Sequence, residues 1–251
     1  MLDAQKIKDY LLRIGLTENI RIDLEGLNEL IRAQLTHVPF ENIDVWATGA
    51  CPSLAVDDLF EKIVLRKRGG YCFELNTLFR VLLNSLGFDA YQCIASLVHA
   101  DRIDPPAHNV ILCCLGGKKY LIDVGFGGPV PFGAMELKEG ICEGFRLWKD
   151  GDLWHLERTD GIKPAFCFRD IPAEVREMEP LNFYISQRPD VHFRHILRCS
   201  LRHADGKVYT LVDDVLQIRA KGIVREKTVT DKLTVLKEHF GMLPKYITLR
   251  R

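Results

Sequence analysis

The sequence predicts an α+β protein, because the spacing of its apolar residues changes twice along the chain. Over the first third, apolar residues recur about every 3.6 positions, which is the period of an amphipathic helix. From about Asp89 the spacing shifts toward two, which is typical of strands, and the last part of the chain mixes both patterns. The middle third therefore predicts an antiparallel barrel or sandwich.

Four helices are predicted in the first third, at residues 5–14, 24–35, 59–65 and 72–86. Asp23 is placed to cap the second helix, and Pro39 would end it and force an extended turn at residues 40–42. The fourth helix begins near Cys72 and carries a wide apolar stripe, which indicates that it is buried. Gly87 is a natural terminator for it.

Strands are predicted at residues 91–98, 109–115, 118–124, 145–148, 153–156, 165–169, 196–201 and 207–212. Near the end of the chain, residues 231–240 read as an amphipathic helix with Leu233, Leu236 and Phe240 facing inward. A short strand at residues 246–249 would follow it.

Composition narrows the class of protein. The chain has 251 residues, 47% of them hydrophobic and 27% charged, an ordinary globular mixture with room for two or three subdomains. Its 34 basic and 34 acidic side chains balance, whereas a nucleic-acid-binding protein usually carries a basic excess. There is no signal-peptide pattern and no run of about 20 apolar residues, so we expect a cytoplasmic protein with no membrane span.

The eight cysteines are predicted to be reduced thiols, since no secretory signal accompanies them. No Cys-x-x-Cys pair occurs, which argues against a structural zinc site. Cys113 and Cys114 are consecutive on a predicted strand and would face opposite sides of the sheet, so they are poorly placed to share an ion. We therefore expect no metal.

Cys72 is the first candidate for chemistry. It follows Gly69 and Gly70, which permit a sharp backbone turn, and it opens the apolar fourth helix. The N–H groups at a helix N-terminus and the positive end of the helix dipole both favour a thiolate. The alternative is a buried and inert cysteine, which is the interpretation we give to the other seven.

His108 and Asp123 are the next candidates, because a hairpin would bring them together. If Gly116-Gly117 is a two-residue loop, Val110 opposes Asp123 and His108 lies diagonally across from the same carboxylate. Taken separately, His108 could be a surface histidine and Asp123 an ordinary turn residue. Together, an imidazole with a carboxylate behind it is the activating half of a cysteine triad.

Four sequence blocks resemble the motifs of the arylamine N-acetyltransferase family, in order and at suitable separations over most of the chain. The blocks are Val38-Pro39-Phe40-Glu41-Asn42, Arg68-Gly69-Gly70-Tyr71-Cys72-Phe73-Glu74-Leu75-Asn76, His108-Asn109-Val110 and Asp123-Val124-Gly125-Phe126-Gly127. The resemblance implies an N-terminal helical bundle (residues 1–87), a central antiparallel β-barrel (88–188) and a C-terminal α/β lid (189–251). The first two parts would form a cysteine-protease-like core.

The resemblance also implies roles for individual residues. Cys72, His108 and Asp123 would be the catalytic triad, and Glu41 would form a structural ion pair with Arg68. The acceptor pocket would be lined by Phe40, Tyr71, Phe126 and Phe193, for which plain core packing is the alternative. Gly127 and Gly128 are candidates for close approach to the pantetheine arm of coenzyme A, because glycine lets a ligand near the backbone.

The implied function is acetyl transfer from acetyl-coenzyme A to a small aromatic amine or hydrazine, by a ping-pong mechanism through a Cys72 thioester. Two other classes remain open on the sequence. A thiol hydrolase or a transglutaminase-like enzyme could use the same triad, and a non-catalytic binding module could retain it. The resemblance also implies that this sequence, which ends at Arg251, lacks the longer C-terminal tail that narrows the cleft of some relatives, so acceptor selectivity stays open.

Overall fold

A computed structural model describes residues 1–17, 19–161, 165–220 and 222–250, and it contains helices together with two antiparallel sheets. The helices are α1 (Ala4–Arg13), α2 (Leu24–His37), α3 (Ile43–Thr48), α4 (Val56–Phe60), α5 (Cys72–Leu86), α6 (Val175–Gln187), α7 (His192–His195) and α8 (Lys232–Phe240). A π-helical segment (Glu61–Leu65) continues α4, and a 3₁₀ turn (Pro244–Tyr246) follows α8.

The strands are β1 (Phe40–Glu41), β2 (Asp89–Val98), β3 (His108–Leu115), β4 (Lys118–Ile122), β5 (Met135–Glu136), β6 (Gly140–Cys142), β7 (Phe145–Asp150), β8 (Leu153–Arg158), β9 (Ala165–Arg169), β10 (Arg198–Arg202), β11 (Val208–Val212), β12 (Val215–Ala220) and β13 (Ile223–Thr228). The eight-stranded sheet has the order β5-β4-β3-β2-β9-β8-β7-β6 and is nearly closed into a barrel. The five-stranded sheet has the order β1-β10-β11-β12-β13.

The core has three parts, which follow from the alternation of side chains along the strands. On β3, Ile111 and Cys113 pack with the helices, whereas Val110 and Leu112 pack inside the barrel. The third part lies between the five-stranded sheet and α8, where Phe240 is completely buried. The α+β class predicted from the sequence is therefore confirmed.

Helix α5 lies in the first part of the core, with the other N-terminal helices. Eleven of its fifteen residues are buried, which explains the wide apolar stripe seen in the sequence. Gly87 ends the helix with a backbone φ of 102°, a left-handed conformation that glycine adopts without strain. The helix packs against β2 and β3, so its first residue lies at the edge of the barrel.

Several details near the chain end were predicted wrongly. Residues 246–249 form no strand, because a 3₁₀ turn ends at Tyr246 and irregular backbone follows. Leu233 is 36% exposed, so of the α8 residues expected to face inward only Leu236 and Phe240 do so.

Helix α6 and strands β12 and β13 were not predicted at all. The division into segments 1–87, 88–188 and 189–251 stays a prediction, and Arg251 itself lies outside the described residues.

Candidate active site

Cys72 is the first residue of α5, and its position is set by the tight backbone that precedes the helix. The N–H of Tyr71 donates to Glu74 Oε2 at 3.1 Å, which caps the helix N-terminus. A Cβ on Gly69 would come within 1.9 Å of the Pro39 carbonyl oxygen, so a side chain is excluded there. Glycine is needed at position 69 because the backbone of another segment approaches it closely. Its backbone conformation does not require glycine, since its φ is not left-handed.

The hairpin register predicted for His108 and Asp123 is confirmed. Strands β3 and β4 pair with Leu115 opposite Lys118 and continue to Ile111 opposite Ile122, so Asp123 follows directly after the paired segment. His108 Nε2 lies 2.7 Å from Asp123 Oδ2, and both side chains are almost completely buried. This bond leaves the other ring nitrogen, Nδ1, for a second partner.

The sulfur of Cys72 lies 3.8 Å from the carbonyl oxygen of Ala107, the residue before His108, and it contributes to the electrostatic surroundings of the His108 ring. Burial alone would lower the pKa of His108, but the carboxylate of Asp123 and the interaction with Cys72 outweigh it and raise that pKa to about 10. The imidazole is thus held as a cation near the sulfur of Cys72.

Asn76 connects α5 to the segments that carry His108 and Asp123, and the sequence predicted no role for it. It lies one turn after Cys72 on α5, and its Nδ2 donates to the Asn109 carbonyl oxygen at 2.7 Å and to Asp123 Oδ1 at 3.1 Å. Its Oδ1 accepts the N–H of Val124 at 3.0 Å. A polar side chain four residues after the nucleophile, on an apolar helix face, was the signal in the sequence that could have identified it.

A buried group of charges lies behind the loop that carries Cys72. Arg68 contacts Glu41 Oε1 at 2.7 Å, as the sequence resemblance implied, and it contacts Asp44 at 2.8 Å. Lys62 contacts both Asp44 and Glu74 at 2.7 Å. Burial raises the pKa of Glu74 to about 7, although Lys62 opposes the rise. Lys62, which the sequence gave no reason to select, therefore links the helix cap to the ion pair.

Three of the four predicted pocket aromatics lie in one cluster next to Cys72. The ring centroid of Phe193 is 5.6 Å from that of Tyr71 and 6.0 Å from that of Phe40. The Tyr71 hydroxyl donates to Asn182 on α6, a contact for which the sequence held no signal. Phe126 is separate from these three and lies against the His108 ring, with centroids 5.3 Å apart.

Gly127 and Gly128 follow Phe126 in the loop between β4 and β5. A Cβ on Gly127 would meet the Phe40 ring at 2.6 Å, and the residue has a left-handed φ of 70°. The carbonyl oxygen of Gly127 accepts a hydrogen bond from Arg198 at 3.1 Å. The close approach of the Phe40 ring thus explains by itself why position 127 is a glycine.

The arrangement provides a nucleophile, a cationic acid and a carboxylate that orients it, which is the chemistry of acyl transfer through a covalent intermediate. Within the described part of the chain, no group of three or more His, Cys, Asp or Glu side chains could hold a metal ion. The eight cysteines form no disulfide. No described helix is long and apolar enough to cross a membrane.

Comparisons with known proteins agree with this geometry. A family model described as N-acetyltransferase matches residues 23–245. An arylamine N-acetyltransferase of Mycolicibacterium smegmatis is 31% identical over 95% of this chain and 92% of its own length. A solved structure of an M. smegmatis arylamine N-acetyltransferase aligns with a TM-score of 0.87 at 29% identity, over 97% of this chain and 93% of that one.

A second solved structure was determined with coenzyme A. It is the arylamine N-acetyltransferase of Mycobacterium marinum, which aligns with a TM-score of 0.86 at 26% identity, over 94% of this chain and 92% of that one. Sequence, fold and family model agree over nearly the whole length. This chain belongs to the arylamine N-acetyltransferase family.

Proposed function

We propose that this enzyme transfers an acetyl group from acetyl-coenzyme A to an aromatic amine or hydrazine, with Cys72, His108 and Asp123 as its catalytic residues. The observation that carries the proposal is the buried contact of His108 Nε2 with Asp123 Oδ2 at 2.7 Å, together with the Cys72 sulfur 3.8 Å from the carbonyl oxygen of Ala107, the residue before His108. The names of the relatives, and the coenzyme A bound to one of them, support the donor and the acceptor class.

In the first half-reaction, the Cys72 thiolate attacks the carbonyl carbon of the donor thioester. The first N–H groups of α5 have no acceptor inside the helix and are available to the developing oxyanion. As the tetrahedral intermediate collapses, the bond from carbon to the coenzyme A sulfur breaks, and His108 gives its proton to the departing thiolate. The acetyl group stays on Cys72 and the imidazole is left neutral.

In the second half-reaction, the nitrogen of the acceptor attacks the acetyl carbon. His108 takes the proton that this nitrogen releases, the bond from carbon to the Cys72 sulfur breaks, and the resting thiolate and imidazolium return. Aromatic amines and hydrazines are weak bases, so they arrive uncharged with a free lone pair. An alkylamine would arrive as an ammonium ion, which is costly to bring into a pocket of buried aromatic rings.

We assign the acceptor pocket to Phe40, Tyr71 and Phe193, with Phe126 at its boundary beside the His108 ring. The support is their mutual packing within about 6 Å next to the nucleophile. We further propose that residues 1–87 supply the nucleophile, residues 88–188 the imidazole and carboxylate, and residues 189–251 the lid. Gly127 and Gly128 are proposed to lie along the path of the pantetheine arm.

The test is the stoichiometry of the first half-reaction. With acetyl-coenzyme A and no acceptor, the wild type should release one equivalent of free coenzyme A in a burst. Mass spectrometry should then find an acetyl group on the peptide that contains Cys72. Addition of 5-aminosalicylate or an anisidine should remove the label and give the N-acetylated product.

Cys72→Ala should abolish both the burst and turnover while the fold is preserved. Cys142→Ala is the matched control, since this thiol is exposed and far from the buried nucleophile in sequence, and it should keep both. Substantial turnover in Cys72→Ala, or an acetyl label on Cys142, would overturn the assignment. Hydrolysis of acetyl-coenzyme A that outpaces transfer to every acceptor in the panel would identify a thiol hydrolase instead.

A further inference from the structure

Three arginines lie on one face of the five-stranded sheet, the face opposite to the one that packs on α8. Arg198 and Arg202 are on β10, and Arg219 is on β12. On the strand between them, β11, Val208 is opposite Arg202 on one side and opposite Arg219 on the other. Directly opposed residues in an antiparallel sheet point to the same side, so the three side chains share this side. We call it the arginine face.

The arginine face is also the side toward the proposed acceptor pocket. Phe40 on β1 is paired with Ser200 on β10, between Arg198 and Arg202, so the Phe40 ring emerges on the same side. The loop that follows β4 lies over this side. Arg198 donates to the Gly127 carbonyl oxygen at 3.1 Å, and the guanidinium of Arg202 lies 4.0 Å from the centre of the Phe132 ring.

The three cations have no ion-pair partner among the described residues. Arg198 is half-buried, and both its burial and the nearby charge of Arg219 lower its pKa. The Nε of Arg202 is buried with no hydrogen-bond partner. A partly desolvated guanidinium without a counter-ion is unfavourable, so the cluster is poorly explained by folding stability alone.

The carboxylate on the same face that could neutralise the cluster is engaged elsewhere. Glu226 on β13 pairs with Gln217 on β12, and its Oε1 accepts the Gln217 side-chain amide at 2.9 Å. Among the described residues, no ion pair joins Glu226 to Arg219. The arginine face is therefore a concentration of positive charge in a protein whose net charge is zero.

We propose that Arg198, Arg202 and Arg219 bind the phosphate groups of coenzyme A, which places the nucleotide end of the donor across the arginine face. Guanidinium groups match phosphate oxygens in charge and in bidentate geometry. Arg198 adjoins Gly127, so a donor held here would continue past the loop of Gly127 and Gly128 toward Cys72. This inference rests on the proposed function, because it concerns the binding of that enzyme's donor.

The test compares two acetyl donors that differ in their phosphates. Acetyl-coenzyme A carries them, whereas p-nitrophenyl acetate delivers the same acetyl group without any. In a ping-pong enzyme kcat/KM for the donor reports the acyl-loading half-reaction alone. For Arg198→Gln we expect kcat/KM for acetyl-coenzyme A to fall about 10-fold or more, because a hydrogen bond between charged groups is lost. The same ratio for p-nitrophenyl acetate should not change.

Arg219→Gln is the cleaner variant, because this side chain is exposed and forms no hydrogen bond within the described chain that folding could depend on. For this variant we expect kcat/KM for acetyl-coenzyme A to fall by a smaller factor, about 3-fold. The difference should disappear at high salt, because salt screens surface charges. Arg225→Gln is the matched control. Arg225 is an exposed arginine of the same sheet that is paired with Ile218, so it points to the opposite face, and this variant should behave as the wild type.

Calorimetric titration with coenzyme A itself separates this inference from the proposed function. If the wild type binds coenzyme A and is acetylated by acetyl-coenzyme A, but Arg198→Gln and Arg219→Gln do both equally well, the phosphate site is wrong and the function stands. If Arg198→Gln loses activity equally with both donors, the residue positions the Gly127 loop and the inference is also overturned. A wild type that neither binds coenzyme A nor becomes acetylated refutes the function itself.

Discussion

At the residue scale, the protonation state of His108 is decided by a competition between two effects. Burial disfavours the charged ring, while the carboxylate of Asp123 and the sulfur of Cys72 favour it, and the second effect prevails. The folded-state pKa of about 10 lies above the ordinary value of 6.5. The resulting stabilisation is therefore complete below pH 6.5 and is lost as the pH rises toward 10.

Asp123→Asn tests this balance, since it removes the charge and keeps the shape of the side chain. Without the carboxylate, burial should dominate and lower the pKa of His108, so the ring would be neutral at pH 7. We expect kcat/KM for acetyl-coenzyme A to fall by about 10³-fold to 10⁴-fold, as when the carboxylate of other triads is replaced.

The rate of Cys72 alkylation by iodoacetamide, followed from pH 5 to pH 10, checks the same prediction directly. The wild type should show no step between pH 6 and pH 8, because the imidazolium persists through that range. Asp123→Asn should react more slowly at pH 7 and recover only at alkaline pH. Equal alkylation rates in the two proteins at pH 7 would contradict our account of the ion pair.

At the scale of elements, the N-terminus of α5 is held by charges that come from segments outside the helix. The π-helical segment (Glu61–Leu65) places Lys62 beneath the helix cap, where it contacts Glu74 at 2.7 Å. Arg68 joins the same group from the loop before α5 and donates to the Tyr246 carbonyl oxygen at 3.0 Å. The catalytic loop is therefore fixed by buried ion pairs in addition to apolar packing.

Lys62→Met should destabilise the protein strongly, because it leaves the buried carboxylate of Glu74 without its cation. Removal of one partner from a buried ion pair typically costs about 3–5 kcal/mol. Lys6→Met is the control, since Lys6 pairs with Asp57 on the surface and should contribute little. Urea denaturation of the two variants gives the comparison.

The decrease in the free energy of unfolding caused by Lys62→Met should also depend on pH. Lys62 opposes the rise in the pKa of Glu74, so its removal moves that pKa above about 7 and folding then takes up a proton. Stability falls with rising pH whenever folding takes up protons. The variant should therefore be more strongly destabilised, relative to the wild type, at pH 8 than at pH 5. A loss that is the same at both values would show that Glu74 is not the group left unpaired.

At the scale of the whole molecule, the proposed triad comes together where the helices meet the barrel. Cys72 comes from α5, whereas His108 and Asp123 come from the β3–β4 hairpin, and the two parts touch at Gly125. A Cβ on Gly125 would lie 2.8 Å from Cys72 Cα and 3.0 Å from Asn76 Nδ2. The first of these atoms is backbone, so a side chain at position 125 would push the hairpin away from α5.

Gly125→Ala should thus lower activity more than it lowers stability. Overpacking at such a contact costs about 1–3 kcal/mol, whereas a shift of about 1 Å between catalytic groups can reduce turnover by about 100-fold. Gly140→Ala is the control, because no atom lies within 4 Å of a Cβ placed there and its φ is not left-handed. Thermal unfolding and acetyl transfer, measured on both variants, test the prediction.

The sequence by itself determined the features that depend on short-range geometry. The hydrophobic periods predicted α5 and the β3–β4 hairpin, and the two-residue Gly116-Gly117 loop determined the register that brings His108 to Asp123. The four sequence blocks determined the family. Local conformational preferences and side-chain alternation are properties of a few consecutive residues, so they can be read along the chain.

Only the tertiary structure decided which distant residues complete the site. Lys62, Asn182 and Arg198 lie in segments whose own patterns gave no reason to select them, and each makes its contact with a residue of another segment. The β12–β13 hairpin was missed for a related reason, since β13 is exposed throughout and lacks an apolar alternation. Packing between elements depends on the whole chain at once, and no local spacing encodes it.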